Sequence, residues 1–158
     1  REVLPIAFVS SQFVNMFYSF LVVFAVLLIS GKGINIIAVL YLPVIMAIEY
    51  SLALGMALIV SALTVYLRDL EYLLGIVTMA WQFLTPEMYS LADVPTQIVP
   101  AFLCNPMSSI IIAYRDIFYY KQAPKAETLI QAFLFGIALL VIGWSVFGKL
   151  KRRFAEEL

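Results

Sequence analysis

Few polar side chains interrupt the apolar runs of this 158-residue chain, so each invites a chemical reading. Glu49 is the sole charge between Ile34 and Leu67. A lone carboxylate at such depth in hydrocarbon costs at least a few kcal/mol, so it needs water, a partner or a proton. Lining or gating a hydrated pathway and forming a buried structural pair both meet that need. Ser11, Gln12, Asn15 and Ser19 lie in the first apolar run, and positions 11, 15 and 19 share one helical face. Such a stripe bonds to another helix or lines a hydrated path. Gln12, Asn15, Glu49 and Tyr89 are therefore candidate pathway residues. Tyr89 and the tyrosines from Tyr114 to Tyr120 fit an interfacial belt, or a rail on which sugar rings stack.

Much other chemistry is excluded. The chain has no histidine and one cysteine, Cys104. Intrachain disulfides, the usual zinc sets and imidazole bases are thereby removed. Glu49, Glu87 and Asp116 have no evident catalytic companion, so the chain is not read as an enzyme. Ten basic and ten acidic residues cancel, giving no field that would draw nucleic acid.

The elements that position these residues follow from composition. With 64% hydrophobic and 13% charged residues, the chain is too apolar for a water-soluble domain. A bilayer requires roughly 20 apolar residues per helical crossing. The uncharged runs predict an all-α integral membrane protein, a single transmembrane domain over 1–158, with four transmembrane helices at about 4–30, 35–67, 70–89 and 127–149. Pro43 makes the second a long span open to kinking. The third reaches bilayer length only by drawing in Leu70, Glu71 and residues Glu87 to Tyr89. Pro95, Pro100 and Pro106 break the run after residue 93 into two short helices, about 94–103 and 106–120. These form a re-entrant or interfacial hairpin before the last span. Asn105 caps the second helix, with Pro106 at its first position. In the second span, Ala47, Ser51 and Gly55 and, beside them, Ala53, Ala57 and Ser61 recur every fourth residue, a pattern that admits another helix at close range.

Four spans place both ends on one side with Arg1, Arg68, Lys149, Lys151, Arg152 and Arg153, against Lys32, Arg115, Lys121 and Lys125 opposite. The excess predicts cytoplasmic ends.

Asn105-Pro106-Met107-Ser108-Ser109-Ile110-Ile111-Ile112-Ala113-Tyr114-Arg115-Asp116 resembles the "NP, then AYRD" signature of type-2 ABC transporter permeases, especially exporters of O-antigen, teichoic acid and related polysaccharides. Arg1-Glu2-Val3-Leu4-Pro5 resembles the "REVLP" entry to the third span of that family. Tyr66-Leu67-Arg68-Asp69 resembles its "RD" turn, and Leu84-Thr85-Pro86 its "TP" exit. Glu87 departs from the apolar residue that follows "TP" in the family.

The resemblance covers essentially the whole chain and implies a six-span family of which this sequence supplies spans three to six, as a C-terminal part. It implies a multi-pass protein of a bacterial cytoplasmic (inner) membrane, working as a homodimer with a second permease copy. A separate nucleotide-binding ATPase subunit would carry ATP and magnesium, with no cofactor in this chain. No GxxxxGK[ST] phosphate loop occurs in the sequence, which fits that division. The substrate implied is a lipid-linked glycan moved outward across the membrane. Arg1, Glu2, Arg68 and Asp69 would form the ATPase-coupling surface. Asn105, Pro106, Tyr114, Arg115 and Asp116 would belong to the re-entrant hairpin, with Arg115 and Asp116 pairing inside it. Two rival readings are a type-2 permease for a drug or small amphiphile and a noncatalytic membrane scaffold subunit.

Overall fold

A computed structural model of the chain describes residues 3–31, 33–65, 67, 69–89 and 93–151. Arg1, Glu2 and Arg68 of the predicted coupling surface lie outside the described residues, and so do Arg152 and Arg153 of the C-terminal basic cluster. Every regular element among the described residues is helical. In chain order they are α1 (Val3–Ile29), α2 (Ile36–Val39), α3 (Leu42–Thr64), α4 (Leu70–Leu84), α5 (Val99–Leu103), α6 (Pro106–Phe118) and α7 (Ala126–Lys151).

Three segments are long and apolar enough to cross a membrane: Val3–Ile29, Ile36–Thr64 and Ala126–Leu150. The chain is thus an all-α, multi-pass membrane protein. The middle segment is interrupted between α2 and α3, and Pro43 explains the break. It has no N–H to donate, and its ring crowds the carbonyl of Val39 four residues earlier. The chain resets through a tighter turn, with Tyr41 N donating to Ala38 O at 3.1 Å and Ile45 N resuming the ladder on Tyr41 O at 3.0 Å.

The predicted 70–89 helix is shorter than anticipated, ending as α4 at Leu84. Thr85 is extended (φ −103°, ψ 126°) because the ring of Pro86 disfavours a helical residue before it. Residues 87–89 are therefore not helical. The 15 residues of α4 span about 22 Å. The first hairpin helix is also shorter than 94–103: Pro100 is tolerated only in a first turn, where its missing donor has no partner to lose, so α5 starts at Val99. The second ends at Phe118 rather than at 120, and Lys121 beyond it takes a left-handed φ of 54°.

α3 and α7 form the backbone of the bundle and run parallel. Gly136 of α7 meets Ile48 and Ser51, while Gly143 meets Gly55 a further turn or two along both helices. A Cβ added to Gly55 would lie 2.5 Å from the Leu139 carbonyl carbon, and one on Gly143 would strike the Gly55 carbonyl. The small-residue face predicted at Ser51 and Gly55 is thus pressed against backbone. Near the far ends of these helices, Leu58 and Ala62 pack on Phe147.

α1 lies antiparallel on the opposite flank of α3. Ser10 Oγ is 2.9 Å from Tyr50 Oη, and Phe13 meets the Tyr50 ring edge-on at 5.1 Å. The main core gathers Leu42, Ile45, Ile48 and Leu52 of α3, Ile110, Ala113 and Ile117 of α6, and Ala132 of α7. α4 contributes no buried residue.

Candidate functional site

α6 occupies the end of the bundle where α2 begins, α4 finishes and α7 starts. Asn105 fixes its first turn. Its Oδ1 accepts from Met107 N at 3.0 Å, the cap predicted from sequence. The same oxygen accepts from Trp81 Nε1 at 3.0 Å. Its Nδ2 donates to Leu84 O at 3.2 Å and to Thr85 Oγ1 at 2.9 Å. One amide thereby fills its two donor and two acceptor positions, and three of these bonds tie α6 to the exit of α4. Thr85 is buried and completes the set by donating from Oγ1 to Trp81 O at 2.9 Å.

Arg115, ten residues along, returns to the same segment. Its Nη2 donates to Pro86 O at 2.7 Å and Glu87 O at 3.2 Å. The chain leaves helical geometry at Thr85, so these carbonyls have no helical ladder to satisfy them, and the guanidinium supplies the donors. The "NP", "TP" and "AYRD" pieces, separated in sequence, thus meet in one hydrogen-bonded junction.

The predicted pairing of Arg115 with Asp116 does not occur. Consecutive helical residues point in different directions, and each takes its own partner. Asp116 is buried, and its Oδ1 accepts from Gln122 Nε2 at 3.0 Å, while its backbone oxygen accepts from Gln122 N at 2.9 Å. These two hydrogen bonds close the turn after α6. Lys121 O in that turn accepts from Asn35 Nδ2 at 2.9 Å, and Asn35 Oδ1 caps α2.

Tyr114 supplies the partner that Glu49 requires: its hydroxyl donates to Glu49 Oε2 at 2.6 Å, joining α6 to α3. Its ring lies 5.2 Å from Phe20, and Phe20 stacks on Phe118 at 5.5 Å, which brings α1 into the same cluster. A cavity of ≈ 340 Å³ beside this pair is lined by Phe8, Gln12, Met16, Glu49, Ala53 and Ala57, among others. Gln12 and Glu49 therefore face one space. Asn15 does not join them: it is exposed on α1, as are Ser11 and Ser19 on the same stripe, and Ser19 Oγ donates to Asn15 O at 3.1 Å. Tyr89 also lies elsewhere, its hydroxyl donating to Phe83 O at 2.6 Å and its ring edge-on to Phe102 at 5.9 Å. Asp69, the described member of the predicted coupling surface, is exposed at the start of α4 and makes no side-chain cap there.

Sequence reasoning did not single out Thr85, Gln122 or Asn35 as partners, and Trp81 was not among the candidate site residues. Trp81 carried a usable signal, since an indole N–H on an apolar helix seeks an acceptor. Among the described residues, no group of three or more His, Cys, Asp or Glu side chains comes together to hold a metal.

The junction residues are those that carried the resemblance, and whole-chain comparison bears on the same point. The chain is similar throughout to O-antigen export permeases. It is 29% identical over 158 residues to an O-antigen export system permease protein RfbA of Klebsiella pneumoniae, covering 100% of this chain and 61% of that protein. The protein of the same name from Myxococcus xanthus is 28% identical over 159 residues, with 99% and 61% covered. A further Klebsiella pneumoniae RfbA is 27% identical over 158 residues, again with 61% of its length covered. The chain thus spans 61% of the length of these O-antigen export permeases. No family model and no solved structure matches the chain.

Proposed function

We propose that the chain acts within the membrane-spanning permease of an ATP-driven exporter, moving a lipid-linked polysaccharide outward across a bacterial cytoplasmic membrane. The observation that carries this reading is similarity along all 158 residues to proteins named as O-antigen export permeases. The geometry supports it: the motif residues Asn105 and Arg115 meet the exit of α4 in one polar junction, a feature a simple membrane anchor would not need.

On this reading two permease copies pair, and each contacts a separate ATPase subunit that binds ATP and magnesium. The ends of the chain and the turn at Asp69 face the cytoplasm, with α5 and α6 at the outer side. ATP binding at the partner shifts the paired permeases between closed and open arrangements. A teichoic-acid-like polymer is a second substrate of the same physical class, hydroxyl-rich and carried on a lipid.

Disrupting the gene, or that of the cognate ATPase, is expected to abolish surface polysaccharide while leaving intracellular polymer, measured by gel electrophoresis of surface and cytoplasmic fractions. Normal surface polysaccharide in either strain overturns the reading.

A further inference from the structure

α1 is the least covered of the long helices: of its 27 residues only Val9 is buried. One side of it rests on α3. Between the two helices runs a groove of ≈ 340 Å³, with Phe8, Gln12 and Met16 on one wall and Glu49, Ala53 and Ala57 on the other. Both walls belong to segments long and apolar enough to cross a membrane, so the groove opens at bilayer depth.

Its polar groups are not satisfied by the fold. Among the described residues, the Gln12 amide takes no hydrogen bond, and Glu49 engages Tyr114 through Oε2 while Oε1 takes none. An amide offers two donors and two acceptor positions, and a polar group left bare in hydrocarbon costs several kcal/mol. Whatever lies in the groove must therefore be apolar along most of its length and polar at one level.

Lipid chains fill the volume but leave the Gln12 amide and Glu49 Oε1 bare. Water needs two to four polar partners, and beyond Gln12 and Glu49 the walls are apolar. A second copy seated there about a two-fold axis would present the same groove to itself, void against void and carboxylate against carboxylate. A transmembrane helix meets both demands. It fills a long apolar groove, and one hydroxyl, amide or basic side chain on it reaches Gln12 and Glu49. Ala53 and Ala57 stand one helical turn apart and carry nothing beyond Cβ, so a helix can come close to α3 on that side.

The length of the relatives supplies such a helix. This chain spans 61% of each, so about 100 of their residues lie outside the matched part, room for several crossings at roughly 20 residues apiece.

We propose that the groove between α1 and α3 seats a further transmembrane helix of the same polypeptide, one that carries a hydrogen-bond donor opposite Glu49 and small residues against Ala53 and Ala57. The proposal borrows from the permease reading only that the full-length chain extends beyond these residues as its relatives do. Glu49 then ties three helices together: α3, which bears it, α6 through Tyr114, and the seated helix.

The test uses the full-length protein in its own membrane, with p-benzoylphenylalanine in place of Phe8, where an aromatic ring already lines the groove. After irradiation, denaturing gel electrophoresis and peptide mass spectrometry identify what the probe has joined. The expected product runs at monomer mass and links the probe to a peptide from outside residues 1–158. A dimer-mass product identifies a second copy, and lipid adducts alone identify the bilayer. Links solely within residues 1–158, or no product, show that no further helix sits there. Each of these overturns the proposal.

A second measurement reads stability. Ala57→Trp fills the groove and is expected to lower the melting temperature of the full-length protein by about 5 °C or more, whereas Ala57→Ser leaves it unchanged. A tryptophan variant that melts with the wild type overturns the proposal as well. Neither measurement reads export, so normal surface polysaccharide after gene disruption removes the permease reading without touching the groove, and a failed cross-link removes the groove without touching that reading.

Discussion

The seam between α3 and α7 and the junction between α4 and α6 hold together by different means. At the seam, Gly55, Gly136 and Gly143 bring helix backbones into contact and no side-chain hydrogen bond is needed. At the junction, α4 buries no residue, yet Asn105 and Arg115 attach its exit to α6 through directional bonds. Lipid removes most of the hydrophobic drive for helices to associate, so close packing and polar bonds are the means that remain. The seam uses surface along many turns and resists displacement. The junction grips one end of a helix and leaves its length free.

The seam predicts the largest effect. Gly55→Leu must displace the α7 backbone at Leu139 and is expected to prevent stable folding, a cost of about 3 kcal/mol or more. Size-exclusion profiles and thermal melts in detergent read this; an unchanged melt would show that the seam is looser than the structure indicates.

Asn105→Ala comes next. It removes four bonds and leaves Trp81 Nε1 without its acceptor and Thr85 Oγ1 without its donor, at about 2–4 kcal/mol. Because only the Arg115 bonds to Pro86 O and Glu87 O would then join that end of α4 to α6, hydrogen exchange is expected to rise across residues 81–89 while α3 and α7 stay protected. Uniform exchange would mean that α4 and the seam unfold as one unit.

Tyr114→Phe removes the donor to Glu49 and is expected to cost about 1–2 kcal/mol, since polar bonds between membrane helices are individually modest. Adding Glu49→Gln should recover part of that loss in a double-mutant cycle. Strict additivity would show that the two groups do not interact.

Gly75→Ala is the smallest. Nothing lies within 4 Å of a Cβ there, so the substitution is expected to be neutral or to stabilise α4 by up to about 1 kcal/mol. A destabilisation comparable to Gly55→Leu would erase the contrast between the two regions.

Much of this was legible in the residues. Apolar length located the long helices, the fourfold recurrence of small residues marked the face of α3 at Ser51 and Gly55, and Asn105-Pro106 announced a helix start. The unread parts share a cause: they depend on contacts across the chain. Nothing near Glu49 names Tyr114, 65 residues away, and nothing near Asn105 names Trp81, 24 residues away. The end of α4 was readable but overruled. Pro86 forbids a helical Thr85, whereas the demand for bilayer length carried the prediction on to Tyr89. The Arg115–Asp116 pair came with the family resemblance, while helix geometry turns the two apart.

That early stop at Thr85 has a consequence for the end of α4. Hydrocarbon is about 30 Å thick, and α4 is about 22 Å long, short of a full crossing. Beyond Thr85 the chain is not a smooth apolar cylinder but a turn whose Pro86 and Glu87 carbonyls are held by the Arg115 guanidinium. The polar groups just beyond α4 are therefore backbone carbonyls already engaged by a side chain of α6.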